Sequence, residues 1–360
     1  MWNIIKIASA FIGIIVGAGF ASGQEVLQYF TSFGYMGTVA AVVATALFAY
    51  LGMMLTWLGS RTGTHSHKSV IYQISGRHIG RIVDGIIIFT LFGVGVVMIA
   101  GAGSTLNQQF GLPAYVGSIV MTLMMGATLM LDVRRVVALI GSITPFLVLA
   151  LALICVYSLS TMERSFAELA PIAEGIDSTL PHWLVSAVNY VSFNIAVGAA
   201  MALVMRGAEP NANIARWGGL LGGAGVGVLI MISHLAMFSQ VDQVAGYALP
   251  LLKIIDGISP LLAKGMAFVL FGMIFSTGAS MFYAFVARFT RMQTAAANRF
   301  SIVTLLVAFI ASFAGFTQLV ALFYPLIGYL GLFLVLALIY APFRLKRSSA
   351  IQTLQPITDN

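Results

Sequence analysis

The residues best suited to chemistry lie in a glycine-rich stretch near the start of the chain, with the sequence GAGFASGQE at positions 17–25. Its three glycines, Gly17, Gly19 and Gly23, each weaken a helix by about 1 kcal/mol relative to alanine. Within a membrane span, unwound backbone is tolerated only where its amide and carbonyl groups find partners. We therefore predict a break in this helix that binds a ligand. The alternative is that the small residues only allow neighbouring helices to approach closely.

Glu25 is the acidic residue that lies farthest inside any apolar run of the chain. A carboxylate at membrane depth is costly and indicates a functional site. It could hold the amino group of a substrate, take up a proton, or pair with a cation. The alternative is that Glu25 reaches a hydrated vestibule on the outer side and has no such role.

A second polar cluster occupies the middle of a later apolar run, at 189–200. It combines Asn189, Ser192 and Asn194 with the single glycine Gly198. We predict a second break here, in the position that corresponds to the first break in the other half of the chain. Two interrupted helices at matching positions indicate the binding site of a transporter.

The composition determines the class of protein that carries these clusters. Hydrophobic residues make up 60% of the 360-residue chain, its mean hydropathy is +0.99, and charged residues make up 8%, against about 25% in soluble domains. This excludes a soluble globular enzyme, a disordered protein and, because the apolar runs are continuous, a transmembrane β-barrel. The single cysteine, Cys155, permits neither an internal disulfide nor a cysteine-based zinc site. We predict an all-α polytopic membrane protein.

A helix crosses the hydrocarbon core in roughly 20 residues, and the chain contains ten apolar runs of suitable length. They lie near 4–31, 35–59, 80–106, 112–131, 135–160, 183–205, 213–239, 262–288, 300–316 and 318–343. If the N-terminus is cytoplasmic, 15 of the 18 Lys and Arg residues fall in inner segments and the other 3 in outer ones. This asymmetry predicts a multi-pass protein of the bacterial cytoplasmic (inner) membrane with both termini in the cytoplasm.

Ten spans divide into two sets of five. We expect a first repeat at 1–160, an outer helix and a second repeat at 161–343, and a cytoplasmic tail at 344–360. An odd number of spans in each half makes the two repeats inverted if they share a fold. Two outer segments are long: 161–182 is acidic and predicts a surface helix, and 240–261 is apolar, is interrupted by prolines and predicts a lid-like hairpin.

Five-plus-five helices with broken first and sixth spans resemble the amino acid–polyamine–organocation superfamily, with its leucine-transporter-type fold. The string GAGFASGQE resembles the bacterial YkvI-like membrane protein family, over essentially the whole chain. The resemblance implies a substrate between the two breaks, with the first break offering backbone contacts, the second lining the opposite side, and aromatic neighbours gating the site. The substrate-binding residues implied in this way are Gly17, Ala18, Gly19, Phe20, Ser22, Gly23, Gln24, Glu25, Asn189, Tyr190, Ser192, Phe193 and Asn194.

The resemblance also implies a sodium site. In sodium-coupled relatives two hydroxyls of the eighth helix and carbonyls of the first helix bind the ion, and Ser276, Thr277 and Gly17 match that arrangement. Oxygen ligands suit a hard cation, although serine and threonine can instead satisfy carbonyls of their own helix. Some proton-coupled relatives place a lysine in the fifth helix. The segment 136–160 contains none, but Glu25 keeps proton coupling open.

These features predict a secondary active transporter that moves a small polar solute, an amino acid or related zwitterion, by alternating access with sodium as the coupling ion. The alternatives are a proton-coupled transporter that uses Glu25, an uncoupled facilitator, and a solute-sensing receptor. No enzyme motif or nucleotide-binding loop is present. We therefore expect no catalytic residue, no cofactor besides the ion, no nucleic acid and no obligate protein partner, with the solute and the lipid bilayer as the interacting species.

Overall fold

The computed structural model describes residues 1–62, 67–131, 144–206 and 211–353, and these residues form helices joined by short connections. The predicted all-α class is confirmed. The helices are α1 (Trp2–Ile15), α2 (Ala18–Ser22), α3 (Gln24–Tyr29), α4 (Tyr35–Thr62), α5 (His67–Phe110), α6 (Ala114–Leu131), α7 (Thr144–Ser160), α8 (Phe166–Glu174), α9 (Trp183–Arg206), α10 (Ala212–Phe238), α11 (Val241–Val244), α12 (Pro250–Ile258), α13 (Pro260–Phe289), α14 (Ala295–Ser312) and α15 (Phe316–Thr353).

Six of the described helices are long and apolar enough to cross a membrane, and four shorter ones are also apolar. The six segments are Tyr35–Leu58, Asp84–Phe110, Ala212–Phe238, Pro260–Phe289, Ala295–Ser312 and Phe316–Leu336, and the shorter ones are Trp2–Ile15, Ala114–Met130, Leu149–Ser160 and Trp183–Gly198. The polytopic architecture follows from these segments, whereas the number of ten spans stays a prediction. The start of the predicted span 135–160 and the end of the predicted tail, 354–360, lie outside the described residues.

A stripe of glycines on α10 brings α1 and α4 close to this helix. A side chain at Gly223 would overlap the carbonyl oxygen of Phe48 in α4, and one at Gly222 would lie 2.8 Å from Cβ of Phe11 in α1. In lipid, small residues promote helix association because they allow backbones to approach closely. This packing places α1, and therefore the glycine-rich stretch that follows it, against a closely packed pair of helices.

The prediction of a break in the sixth span was wrong, because α9 is continuous through 189–198. Its polar side chains find partners without unwinding the helix. Asn189 Nδ2 donates to the carbonyl of Pro325 (2.9 Å), and Ser192 Oγ donates to the carbonyl of Gly328 (2.7 Å). These groups therefore attach α9 to α15. The prediction of an inverted repeat can no longer rest on two breaks at matching positions.

The two long outer segments are folded. The acidic segment contains α8, which begins with a capping box formed by Ser165 and Glu168. The predicted lid contains α11 and α12, and the single residue Ser259 separates α12 from α13. Arg164 forms a salt bridge of 3.6 Å with Asp242, which connects the acidic segment to the lid.

We predict that Gly223→Ala lowers the stability of the purified protein. The added methyl group has no space against Phe48, and overpacking of this kind costs about 1–3 kcal/mol. The matched control is Gly265→Ala in α13, where an added methyl group meets nothing within 4 Å. Thermal unfolding in detergent measures both, and an equal effect of the two variants would contradict the importance of the glycine stripe.

Candidate functional site

The first span is broken as predicted. Helix α1 ends at Ile15, Gly17 has an extended backbone (φ −95°, ψ −169°), and α2 begins at Ala18. A second interruption follows at Gly23, whose φ of +84° lies in the left-handed region that favours glycine. The chain therefore passes through this region as three short helices instead of one.

Ser22 holds the second interruption together. Its hydroxyl donates to the carbonyl of Gly19 (2.6 Å) and accepts a hydrogen bond from the backbone amide of Gln24 (3.1 Å). It thereby satisfies one backbone group on each side of Gly23, and it is fully buried. The position of Ser22 favours a structural role over direct contact with a ligand.

Glu25 folds back over the first interruption. Its Oε2 accepts a hydrogen bond of 3.0 Å from the hydroxyl of Tyr190 in α9. Its Oε1 occupies the space that a side chain at Gly19 would need. Only 5% of Glu25 is exposed, so the alternative of a hydrated outer vestibule does not apply. The absence of a side chain at Gly19 is what allows the carboxylate to reach the break.

A cavity of about 370 Å³ lies at this break, lined by residues of α1, α2, α3, α5, α9, α13 and α15. Eight residues predicted for the substrate and sodium sites line it: Gly17, Ala18, Gly19, Glu25, Phe193, Asn194, Ser276 and Thr277. The structure thus brings together the backbone of the first break, the Glu25 carboxylate, the α13 hydroxyls and one turn of α9.

The other predicted site residues lie outside the cavity lining, namely Phe20, Ser22, Gly23, Gln24, Asn189, Tyr190 and Ser192. Tyr190 acts behind the lining through its hydrogen bond to Glu25. Gly23 faces the lid, because a side chain there would lie 2.7 Å from Cγ of Leu251 and 3.1 Å from Sδ of Met237. The remaining members pack within the bundle, all of them at most 2% exposed.

Sequence reasoning missed several lining residues. Tyr324 of α15 is buried at the cavity and stacks on Phe193, with ring centroids 4.2 Å apart. The residues around Tyr324 in the apolar run 318–343 contain no polar cluster or glycine-rich stretch that would predict a binding site there. Ser280 had a signal, since it lies four residues after Ser276 and therefore on the same face of α13. Three methionines complete the apolar wall, namely Met98, Met273 and Met281.

The hydroxyl of Thr277 lies close to the first break. Its Oγ1 lies 3.9 Å from the position of a Cβ built on Gly17. Among the described residues it has no hydrogen-bond partner, whereas Thr45 and Thr90 donate to carbonyls four residues earlier in their own helices. Its hydroxyl therefore remains available at the first break, beside the last turn of α1, where helix geometry leaves carbonyls without intrahelical partners. The sodium site itself stays a prediction.

His234 is packed and hydrogen-bonded. The ring nitrogens lie 3.2 Å from Thr31 Oγ1 and 3.0 Å from Thr38 Oγ1, and the residue is fully buried. The ring also stacks on Phe238. It does not line the cavity, and these contacts make it a packing residue of the bundle.

We predict that Gly23→Ala destabilises the protein more than Gly315→Ala does. Both glycines have positive φ, at +84° and +90°, and a left-handed conformation costs a residue with a Cβ about 1–2 kcal/mol. Only at Gly23 does the added methyl group also press on the lid, since at Gly315 it meets the flexible end of Gln318. Thermal unfolding of the two variants measures the difference, and equal destabilisation would mean that Leu251 does not constrain the break.

Comparison with known proteins agrees with this architecture. No family model matches the chain. It is 26% identical over 345 residues to the membrane protein YkvI of Bacillus subtilis (strain 168), covering 95% of this chain and 97% of that protein. It is 25% identical over 337 residues to the protein YyaD of the same organism, covering 93% and 96%.

Solved structures with a similar fold have low sequence identity. The structure of MhsT in complex with L-phenylalanine matches with a TM-score of 0.60 and 14% identity, over 91% of this chain and 87% of that one. The inward-facing conformation of Mhp1 matches with a TM-score of 0.57 and 13% identity, over 96% and 77%. A manganese transporter of Eremococcus coleocola matches with a TM-score of 0.55 and 15% identity, over 93% and 77%. The chain is therefore similar in sequence to YkvI and YyaD over nearly its whole length, and its fold is the leucine-transporter type.

Proposed function

We propose that this protein is a secondary active transporter that binds a small solute with an amino group in the cavity at the first-helix break. The observation that carries the proposal is the buried carboxylate of Glu25 at the inner surface of this cavity. A carboxylate so placed is costly in a membrane and indicates a functional site. The solute class predicted from the sequence, amino acids and related zwitterions, has the amino group that Glu25 would bind.

The position of the cavity supports transport. It lies where a broken helix meets α5, α9, α13 and α15, and broken helices at mid-membrane are the usual binding sites of transporters. MhsT, one of the proteins of similar fold, was crystallised with L-phenylalanine. Another protein of similar fold is a manganese transporter. In this chain no cluster of three His, Cys, Asp or Glu side chains that could hold a metal occurs among the described residues, so manganese is not carried over.

Differences in exposure along the cavity support alternating access. Glu25 and Tyr324 are buried, whereas exposure increases toward Gly13, Val197 and Met281. In the orientation proposed from the charge distribution of the sequence, this more open end would face the cytoplasm. On the opposite side Leu251 of the lid packs over the second interruption, at Gly23. A cavity open at one end and covered at the other fits a transporter in an inward-facing state better than an uncoupled channel.

We further propose sodium as the coupling ion, bound by Thr277, Ser276 and backbone carbonyls next to Gly17. The available hydroxyl of Thr277 and the interrupted end of α1 supply the oxygen ligands that a hard cation prefers. Proton coupling through Glu25 is the competing mechanism. The effect of sodium on thermal stability distinguishes the two.

The membrane orientation is part of the proposal. Both termini would be cytoplasmic, the protein would lie in the cytoplasmic membrane, and segments 1–160 and 161–343 would form the two repeats. The ion pair between Arg288 and Asp84, which connects α13 to α5, would then lie at the cytoplasmic end of the bundle.

We expect Glu25→Gln to reduce solute uptake by about tenfold or more, because an amide cannot balance the charge of a bound ammonium group. Uptake into proteoliposomes of a panel of radiolabelled amino acids and primary amines measures this. The matched control is Glu163→Gln, which removes an exposed carboxylate outside the cavity lining. Wild-type uptake by the Glu25→Gln variant would exclude Glu25 from the site, and binding without flux would indicate a receptor.

We expect sodium to raise the thermal stability of the purified protein relative to an equal concentration of choline. A ligand that binds only the folded state stabilises it, by about 2.7 kcal/mol at a concentration about 100 times its dissociation constant. The double variant Ser276→Ala, Thr277→Ala should lose the effect. Thr122→Ala, which removes a hydroxyl bonded within α6, should retain it. No sodium effect in the wild-type protein would contradict sodium coupling and favour protons.

A further inference from the structure

Among its described lining residues, the cavity contains one carboxyl group and no cationic side chain that could pair with it. Glu25 is the sole charged side chain among the described residues that line it, and none of the lining residues is Lys, Arg or His. Glu25 is only 5% exposed, and buried charges are normally paired. A bound cation would supply the missing partner.

The polar groups around the carboxylate include hydrogen-bond acceptors that a cation could use, beside hydroxyls that can donate or accept. Oε2 of Glu25 accepts from Tyr190, whereas Oε1 accepts no hydrogen bond from the described residues and lies over Gly19 at the cavity surface. Asn194 Nδ2 donates one of its two N–H groups to the carbonyl of Tyr190 (3.0 Å), and its side-chain oxygen is a further acceptor on this residue. An ammonium group has three donors and no acceptor, which matches this arrangement.

The rest of the wall is apolar and adaptable. Met98, Met273 and Met281 line it together with the stacked rings of Phe193 and Tyr324. Methionine side chains adapt to ligands of different shape, and aromatic rings attract cations as well as apolar groups. The ligand that fits these walls has an apolar body attached to its cationic group.

We infer that the cavity selects primary amines with an apolar body over amino acids with the same body. This inference rests on the proposed function, in which the cavity is the substrate site. The carboxylate of an amino acid would enter the same cavity as Glu25, where no cationic side chain among the described lining residues receives it. Two like charges in a space of low dielectric repel each other strongly, so the zwitterion binds more weakly than the amine.

One arrangement could strengthen binding of the zwitterion. A sodium ion at Thr277 could receive its carboxylate, since this hydroxyl lines the same cavity. The preference for the amine must therefore be measured both in sodium and in choline.

The experiment compares ligands that share a body. One set is 2-phenylethylamine, L-phenylalanine and 3-phenylpropionate, and the second is 3-methylbutylamine, L-leucine and 4-methylpentanoate. Binding of each to the whole chain in detergent is measured by calorimetry and by thermal stability, in sodium and in choline. The proteins are the wild type, Glu25→Gln and the control Glu163→Gln.

The expected result is that each amine binds about tenfold or more tightly than its amino acid in both salts, and that the two acids do not bind. Glu25→Gln loses amine binding, and Glu163→Gln keeps it. Equal or tighter binding of an amino acid in either salt overturns the inference, as does amine binding that survives in the Glu25→Gln variant or failure of both amines to bind. The comparison within the wild-type protein needs no variant and therefore holds even if Glu25→Gln does not fold.

Uptake of the same ligands into proteoliposomes separates this inference from the proposed function. If an amino acid binds and is taken up while its amine is not, the inference fails and the transporter stands. If an amine binds tightly but crosses under no sodium or proton gradient, the inference stands and the transporter proposal fails.

Discussion

The contact between the Glu25 carboxylate, Tyr190 and the backbone at Gly19 constrains the rest of the site. A carboxylate in this position requires a glycine beneath it, because any side chain at Gly19 would overlap Oε1. It also requires a donor from another helix, which Tyr190 of α9 supplies at 3.0 Å. Because the chain is interrupted on both sides of α2, this short helix need not share an axis with α1 or α3. The first helix is thus interrupted where it must accommodate a buried charge.

The surrounding bundle holds this arrangement in place through backbone proximity. The α10 glycines bring α4 and α1 into direct contact with α10, and Asn189 and Ser192 attach α9 to α15. Consequently Tyr190, which positions Glu25, and Tyr324, which lines the cavity, lie on two helices that are hydrogen-bonded to each other. The site combines a locally broken segment with a closely packed frame, and this division is what a binding site that opens and closes requires.

The local features of this structure could be predicted from sequence, and the long-range ones could not. Three glycines in seven residues predicted the break at Gly17, since helix propensity acts on the residues themselves. The break predicted at 189–200 failed because the partners of Asn189 and Ser192 are carbonyls of α15, 136 residues away in the chain. Isolated polar residues indicate that a partner is needed, but not whether it is a ligand or a neighbouring carbonyl. Tyr324 was missed for the same reason, because only the packing of α15 brings it to the cavity.

The connections of the lid indicate which part would move on the proposed mechanism. Gln108 of α5 binds both backbone groups of Leu249, donating to its carbonyl and accepting from its amide at 2.9 Å each. The lid is therefore fixed to a helix of the bundle at Leu249, directly before α12 begins. Gly23 meets the lid through packing against Leu251, and contacts of this kind separate at less cost than buried hydrogen bonds. Opening on the outer side is thus expected to carry α2 and α3 away from the lid, with Glu25 moving together with the segment that binds the solute.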